Sequence, residues 1–383
     1  MKRLHVLQIS HGYSGPFVKV CNQYACAFAG HRITTVFLKG EARLDVVEAV
    51  GGDEVRFLEQ DKRTLRGIKL QSILRMARIL RESPIDIVVA HRYKSIYIAG
   101  VLGRFFTAPI IIGVAHEHGV FRRFSRKLLL ILGQKNILLA GVSDSVVQDI
   151  AGDCPSLGQQ HRLYALPNAI DVKQEQSLLN RTRARQQLGL ADKEFVVGSI
   201  GRLVSKKNYE VLIQAFAELH EPQARLLLIG DGPRRKALQS LAETLGIQDR
   251  VVFAGHHENA QRLVKALDIF VLSSGNEEAF GIVLLEAMLG KVPVISSNAP
   301  GPSEVLAGTG VQFESGDSND LSAKMEHLIN QPENERQRLG EAGYQRVLAN
   351  YSYKKFSEAL WQLPGLNQLV ESTDVAMAGH DPD

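Results

Sequence analysis

Short apolar runs alternate with longer amphipathic stretches along most of the chain. The runs "LHVLQIS" (4–10), "ITTVFLK" (33–39), "IDIVVAH" (85–91), "IIIGVAH" (110–116) and "ILLAGVS" (137–143) are rich in aliphatic and β-branched residues. They predict strands buried on both faces, since a strand with one wet face alternates apolar and polar positions. Between them, 69–82 and 121–132 carry apolar residues at helical spacing. The rhythm then returns with "FVVGSIGR" (195–202), "ARLLLIGDG" (224–232), "VVFAGH" (251–256), "IFVLSS" (269–274) and "VPVISS" (292–297).

This pattern predicts two successive Rossmann-like, doubly wound α/β units, each a parallel sheet covered by helices. A chain of 383 residues is also too long for one ordinary core. The expected domains are 1–172 and 173–350, with the polar, weakly periodic segment 172–193 as a linker. Residues 351–370 read as a helical segment packing back on the first domain, helical up to Pro364, and 371–383 as a disordered polar tail.

Charge sharpens the division. Residues 1–180 hold 24 Lys and Arg against 15 Asp and Glu, a net of +9, whereas 181–383 hold 21 against 26, a net of −5. A basic first half is suited to an anionic partner such as nucleic acid, a phosphorylated glycolipid or a membrane surface. Cys21, Cys26 and Cys154 show no ligand or disulfide spacing and read as reduced core residues of a cytoplasmic protein. The opening "MKRLHVLQIS" is too short and broken for a signal peptide, and no window holds about 18 uninterrupted apolar residues that would span a membrane.

Ligands of open parallel sheets bind beyond the carboxyl ends of the strands. One such end is "SSGNEEAFGIVLLEAMLG" (273–290), where turn composition gives way to helix near Ile282. The free N–H groups of Phe280, Gly281 and Ile282 then form an anion site, which Gly281 lets a phosphate approach closely. Glu278 stands in the loop and Glu286 about one turn inside the helix. Such carboxylates accept hydrogen bonds from sugar hydroxyls, although Glu286 could equally face solvent on an ordinary helix. A second strand end, "SIGRLVSKKNYEVLIQAFAEL" (199–219), carries Gly201, Arg202, Lys206, Lys207 and Asn208. Arg and Lys aimed from there could neutralise a departing diphosphate in place of a metal ion.

Other patterns carry less. His116-x-His118 at a strand end would place both rings on one side, but no third ligand stands at a telling spacing. His256-His257 reads as loop. Gly230-x-Gly232 lacks the third glycine and acidic partner of a dehydrogenase fingerprint.

Together these motifs resemble the retaining GT-B glycosyltransferases of family 4 (group 1), whose hallmark is Glu-x7-Glu, here Glu278 and Glu286. "GRLVSKKN", "LLLIGDGP" (226–233), "VVFAGH" and "ALPNAID" (165–171) extend the resemblance, nearly continuously from about 165 to 310. It implies two Rossmann-like domains facing a central cleft, the first binding the acceptor and the second the nucleotide sugar. It also implies that Glu286 holds the ribose, that Glu278 contacts the donor sugar, and that the amides of Phe280 and Gly281 meet the diphosphate or sugar. Arg202 and Lys207 resemble the pair that stabilises the leaving nucleotide diphosphate. The base would lie near Gly255-His256, and His116 matches the histidine that faces the donor sugar. Gly201, Gly230 and Ile282 complete the donor set. Gly15, in "YSGPF" where the family has Gly-Gly, remains able to approach a phosphate. Ala279 stands where glycine is usual, as does Asn208, which tolerates unusual dihedrals.

The resemblance implies a hexosyltransferase acting with retention, with no cofactor and, lacking an Asp-x-Asp motif at a fitting strand end, no metal. UDP-glucose is the first donor to consider, because UDP is common among relatives that build bacterial surface glycans. The acceptor would be a glycan such as a lipopolysaccharide core. Arg122, Arg123, Arg126 and Lys127, with Phe121, Phe124, Leu128 and Leu132 at helical spacing, fit contact with an anionic membrane on its cytoplasmic face, and "KRTLRGIKLQSILRMARILR" (62–81) is basic too. The alternatives are a nucleotide-sugar epimerase or hydrolase on the same fold, or a non-catalytic sugar-nucleotide-binding protein.

Overall fold

The computed structural model describes residues 3–61, 63–65, 67–106, 110–131, 137–159 and 162–369. The 371–383 tail lies outside them, as do Lys62, Leu132 and the side chain of Leu128. The chain divides into two compact units, Met1–Asn168 with the segment from Tyr353 onward, and Ala169–Ser352. Both are doubly wound parallel-sheet α/β units, as the alternating pattern predicted.

The first unit holds β1 (His5–Ser10), β2 (Arg32–Phe37), β3 (Glu54–Phe57), β4 (Ile87–His91), β5 (Ile110–Ala115), β6 (Ile137–Gly141) and β7 (Leu163–Ala165), in spatial order β3-β2-β1-β4-β5-β6-β7. Order reverses between β1 and β4, which opens a crevice at their carboxyl ends. Strands β1, β4, β5 and β6 are buried along their whole length. Helix Tyr353–Trp361 belongs to this unit and lies on helix Phe17–Ala27. Tyr24 meets Phe356 edge-on at 4.8 Å, and the Trp361 indole donates to the Ala27 carbonyl at 3.0 Å.

The second unit holds β8 (Phe195–Ile200), β9 (Ala224–Ile229), β10 (Val251–Gly255), β11 (Ile269–Leu272), β12 (Val294–Ser297) and β13 (Val311–Phe313), in order β10-β9-β8-β11-β12-β13. Here the reversal falls between β8 and β11.

Three strands escape the apolar pattern, β3, β7 and β13, and all three are sheet edges of three or four residues. An edge strand is half-wet and short, so "EVRF" or "VQF" offers no continuous apolar run. The 172–193 segment is not a linker. It forms a 3-10 turn (Val172–Ser177) and helix Arg181–Leu188, from which Arg185 enters the second unit with no exposed surface. Its guanidinium donates to the carbonyls of Ala191, Asp192, Glu194 and Ala266 and pairs with Asp268 at 2.7 Å. A cation held by main-chain carbonyls leaves no hydrophobic signature in the sequence. Cys21 and Cys154 are buried, but Cys26 is exposed rather than core. Among the described residues no helix is long and apolar enough to cross a membrane.

Candidate functional site

In the second unit the carboxyl end of β11 runs through Ser273 and Ser274 into the turn before helix Ile282–Leu289. Gly281 caps that helix at φ +88°, a left-handed conformation costly for any residue with a Cβ, and an added Cβ would press on Leu272 at 2.9 Å. The helix therefore begins with unpaired main-chain N–H groups at the strand end. Glu286 is only 9% exposed, which excludes the solvated-face reading for it.

Glu278 is held from two sides. The Lys207 ammonium donates to its Oε2 at 2.6 Å, and the Ser274 hydroxyl donates to the same atom at 2.9 Å. Burial pushes the carboxyl up, but the Lys207 charge and hydrogen bond, the Ser274 hydroxyl and the Lys206 charge together hold it below the usual carboxylate range. Lys207 ends a 3-10 turn that is itself tied down, its carbonyl accepting from the Ser273 hydroxyl at 2.9 Å. Asn208, next in line, adopts φ +51°, the unusual dihedral that an Asn was expected to tolerate there. Arg202 is exposed and, among the described residues, makes no side-chain hydrogen bond or ion pair, so one of the two cations is engaged and the other free.

Glycines fix the neighbouring crossing. A Cβ on Gly230, whose φ is +145°, would fall 1.9 Å from the Gly201 carbonyl oxygen, so the space that glycine vacates is filled by the chain's own backbone. Gly230 N–H in turn donates to the Gly255 carbonyl at 2.8 Å. His256 is exposed, whereas His257 turns back to the Ala254 carbonyl at 3.2 Å. A separate hollow of ≈ 490 Å³, lined by Phe195, Asp268 and Pro293, sits at the opposite ends of β8, β11 and β12, away from these groups.

In the first unit His116 follows β5 and joins a buried polar chain. Gln8 donates through Nε2 to the Cys21 carbonyl at 3.2 Å, which leaves its Oε1 to accept from His91 Nε2 at 3.2 Å. A neutral His91 then has a bare Nδ1, and His116 Nε2 donates to it at 3.3 Å. This bonding leaves Nδ1 of a neutral His116 as a hydrogen-bond acceptor. Burial drives His91 down to about 3, and burial with the charges near His116 drives that ring well below its ordinary value. Phe17 packs edge-on against His116 at 5.1 Å. His118 diverges, bonding Ser145 Oγ at 3.1 Å, because β5 ends at Ala115 before either histidine. Gly15 stands at φ +66°, and among the described residues, its chain neighbours aside, no atom lies within 4 Å of the place a Cβ would take.

Of the four basic residues read as one helical face, Arg122 and Arg123 precede helix Phe124–Ile131 and are exposed. Arg126 instead donates to the Val120 carbonyl at 2.8 Å and lies 4.3 Å over the Tyr93 ring, and Lys127 pairs with Asp153 at 3.3 Å. Two of the four are thus engaged within the unit. Sequence reading counted His91 and Ser274 among the strand-end positions but gave them no role, and it did not single out Gln8. The signal available for Gln8 was a polar residue in mid-strand, and for His91 its place as the last residue of β4.

The histidine chain has a consequence for stability. His91 binds its proton less readily folded, at about 3, than unfolded, near 6.5. Its contribution is therefore whole above pH 6.5 and is lost as pH falls below it, by about 1.4 kcal/mol per pH unit. Urea unfolding at pH 7.5 and 5.5 is expected to show this loss, and His91→Gln to reduce the slope by about one proton. An unchanged slope in that variant would contradict the buried neutral assignment.

Residues 180–346 match the family described as glycosyl transferases group 1. The chain is 30% identical over 298 residues to the lipopolysaccharide core biosynthesis glycosyltransferase LpsD of Rhizobium meliloti, spanning 76% of this chain and 78% of that protein. To LpsE of the same organism, also named a lipopolysaccharide core biosynthesis glycosyltransferase, it is 34% identical over 170 residues. That match spans 44% of this chain and 49% of the relative. In backbone it is similar to Anabaena Alr3699/HepE in complex with UDP-glucose, with a TM-score of 0.80 at 19% identity over 97% of this chain and 100% of that one. At that identity the likeness establishes the fold.

Proposed function

This chain belongs to the group 1 glycosyl transferases, and on that footing we propose that it moves a hexose from a nucleotide-diphosphate sugar to a glycan acceptor, with retention and without a metal ion. The observation that carries the reading is the partly buried Lys207–Glu278 pair beside the Gly281 turn, with Glu286 buried one turn beyond. Main-chain N–H groups at 280–282 meet the diphosphate, Glu286 accepts from the ribose hydroxyls, and Glu278 accepts from the donor sugar. Arg202, free to swing, and Lys207 neutralise the charge that develops on the leaving phosphate. His116 presents its bare Nδ1 to a sugar hydroxyl.

In the chemical step the bond from the anomeric carbon to the phosphate oxygen breaks, and a bond to the acceptor hydroxyl oxygen forms on the same face. The acceptor's proton passes to the leaving phosphate. UDP-glucose is the donor to try first, since the HepE structure holds it, and a lipopolysaccharide core is the acceptor class that the names of LpsD and LpsE suggest. Arg122, Arg123 and Phe124, which is 74% exposed, form the face offered to an anionic membrane.

The test is proton NMR of the product formed from UDP-glucose and a lipopolysaccharide-core acceptor, with EDTA present. The expected product is α-linked and forms at an undiminished rate. A β-linked product, loss of turnover in EDTA, or equal nucleotide release without acceptor would each contradict this reading.

A further inference from the structure

A pocket of ≈ 690 Å³ opens in the first unit beside His116. Among the described residues five of its lining side chains are cations, Lys69, Arg92, Lys94, Arg123 and Arg126, and one, Glu117, is a carboxylate. Glu117 is exposed and pairs with Arg92, so the lining keeps a large excess of positive charge.

Lys69 is the unusual member. It is only 8% exposed, yet among the described residues its ammonium has no ion-pair partner. The Nζ donates to the Gly67 carbonyl at 2.8 Å and lies 4.2 Å from the Tyr97 ring centroid. Burial, then the Lys94 and Arg126 charges, lower its pKa. A buried cation crowded by like charges is normally expensive, and the cost is recovered when an anion arrives. Lys69 also holds a left-handed backbone, φ +59°, ahead of helix Leu70–Glu82. On another wall, His11 Nδ1 is buried with no hydrogen-bond partner among the described residues, and its ring is held near 4 by burial and by Lys94, Arg92 and Lys39.

We propose that this pocket binds a phosphomonoester carried by the acceptor sugar, beside the hydroxyl that receives the hexose. The excess of charge suits a dianion better than a carboxylate, which a single arginine fork would satisfy. The pocket's volume admits a phosphorylated monosaccharide rather than a bare ion. Calling the occupant an acceptor rests on the transferase reading above, whereas phosphosugar binding itself does not.

Calorimetry on the full chain tests it without turnover, using glucose 6-phosphate, glucose, and phosphatidylcholine vesicles with and without phosphatidic acid. Glucose 6-phosphate is expected to bind saturably and glucose not at all. Lys69→Met should weaken that binding roughly 10- to 100-fold, and Arg123→Met, at the exposed rim, should weaken it less. Arg104→Met, an exposed charge outside the pocket, should leave it unchanged. Glu286→Ala should also leave it unchanged, which separates failure of this proposal from failure of the donor-site reading. Equal affinity in wild type, Lys69→Met and Arg123→Met would overturn the proposal. So would loss of binding in Glu286→Ala, which would place the phosphate at the donor site, or binding confined to phosphatidic acid vesicles, which would make the ligand a lipid headgroup.

Discussion

Lys207→Met is expected to lower kcat by about 10²–10³ and to destabilise the second unit by about 3 kcal/mol. The two effects have different causes. Lys207 and Glu278 are 16% and 13% exposed and 2.6 Å apart, so removing the ammonium strands a largely buried carboxylate with, among the described residues, only the Ser274 hydroxyl donating to it. That accounts for the stability. The catalytic loss has a separate origin in the missing positive charge as the phosphate departs. The double variant Lys207→Met/Glu278→Gln separates them, because it removes the stranded charge without restoring the cation. Urea unfolding should show most of the stability returning, while steady-state kinetics stay at or below the level of the single variant. Recovery of activity together with stability would mean that Lys207 only supports the fold.

Glu286→Gln is expected to raise KM for the donor about 100-fold with a smaller change in kcat. A carboxylate that grips ribose hydroxyls in both ground and transition states contributes uniform binding. Hydrogen bonds to a charged acceptor contribute about 1.5–3 kcal/mol each, and two adjacent hydroxyls are within the reach of one carboxylate. At 9% exposure the side chain has little water to fall back on, so the amide's donor group cannot be accommodated freely. A fall in kcat at constant KM would instead place Glu286 at the reacting sugar.

These expectations show what was readable from the residues. Nine interior strands and the edge strand β10 announced themselves as apolar runs, and the Gly281 turn announced itself because a turn-forming stretch gave directly onto an apolar helix. The edge strands β3, β7 and β13 did not, since half-exposed pairing leaves a mixed sequence. Arg185 was hidden for the opposite reason, being a charged residue in a polar segment whose burial depends on carbonyls brought by other loops. The Lys207–Glu278 bond joins positions 71 residues apart, and no local spacing encodes it. Gln8 and His91 stand in β1 and β4 and His116 just beyond β5, and their bonding order emerged only from the β1–β4–β5 register. The basic helical face failed as a single surface because its start lies at Phe124, which puts Arg122 and Arg123 before the helix.

The central claim is that the strand ends of the second unit hold a nucleotide sugar. Its most direct test is a calorimetric titration with UDP, GDP, ADP and dTDP, without metal, on wild type and Glu286→Ala. The account predicts tight binding of one nucleotide, UDP being the first expected, and its loss in the variant. Binding of none by folded protein, or equal binding by both proteins, would contradict it.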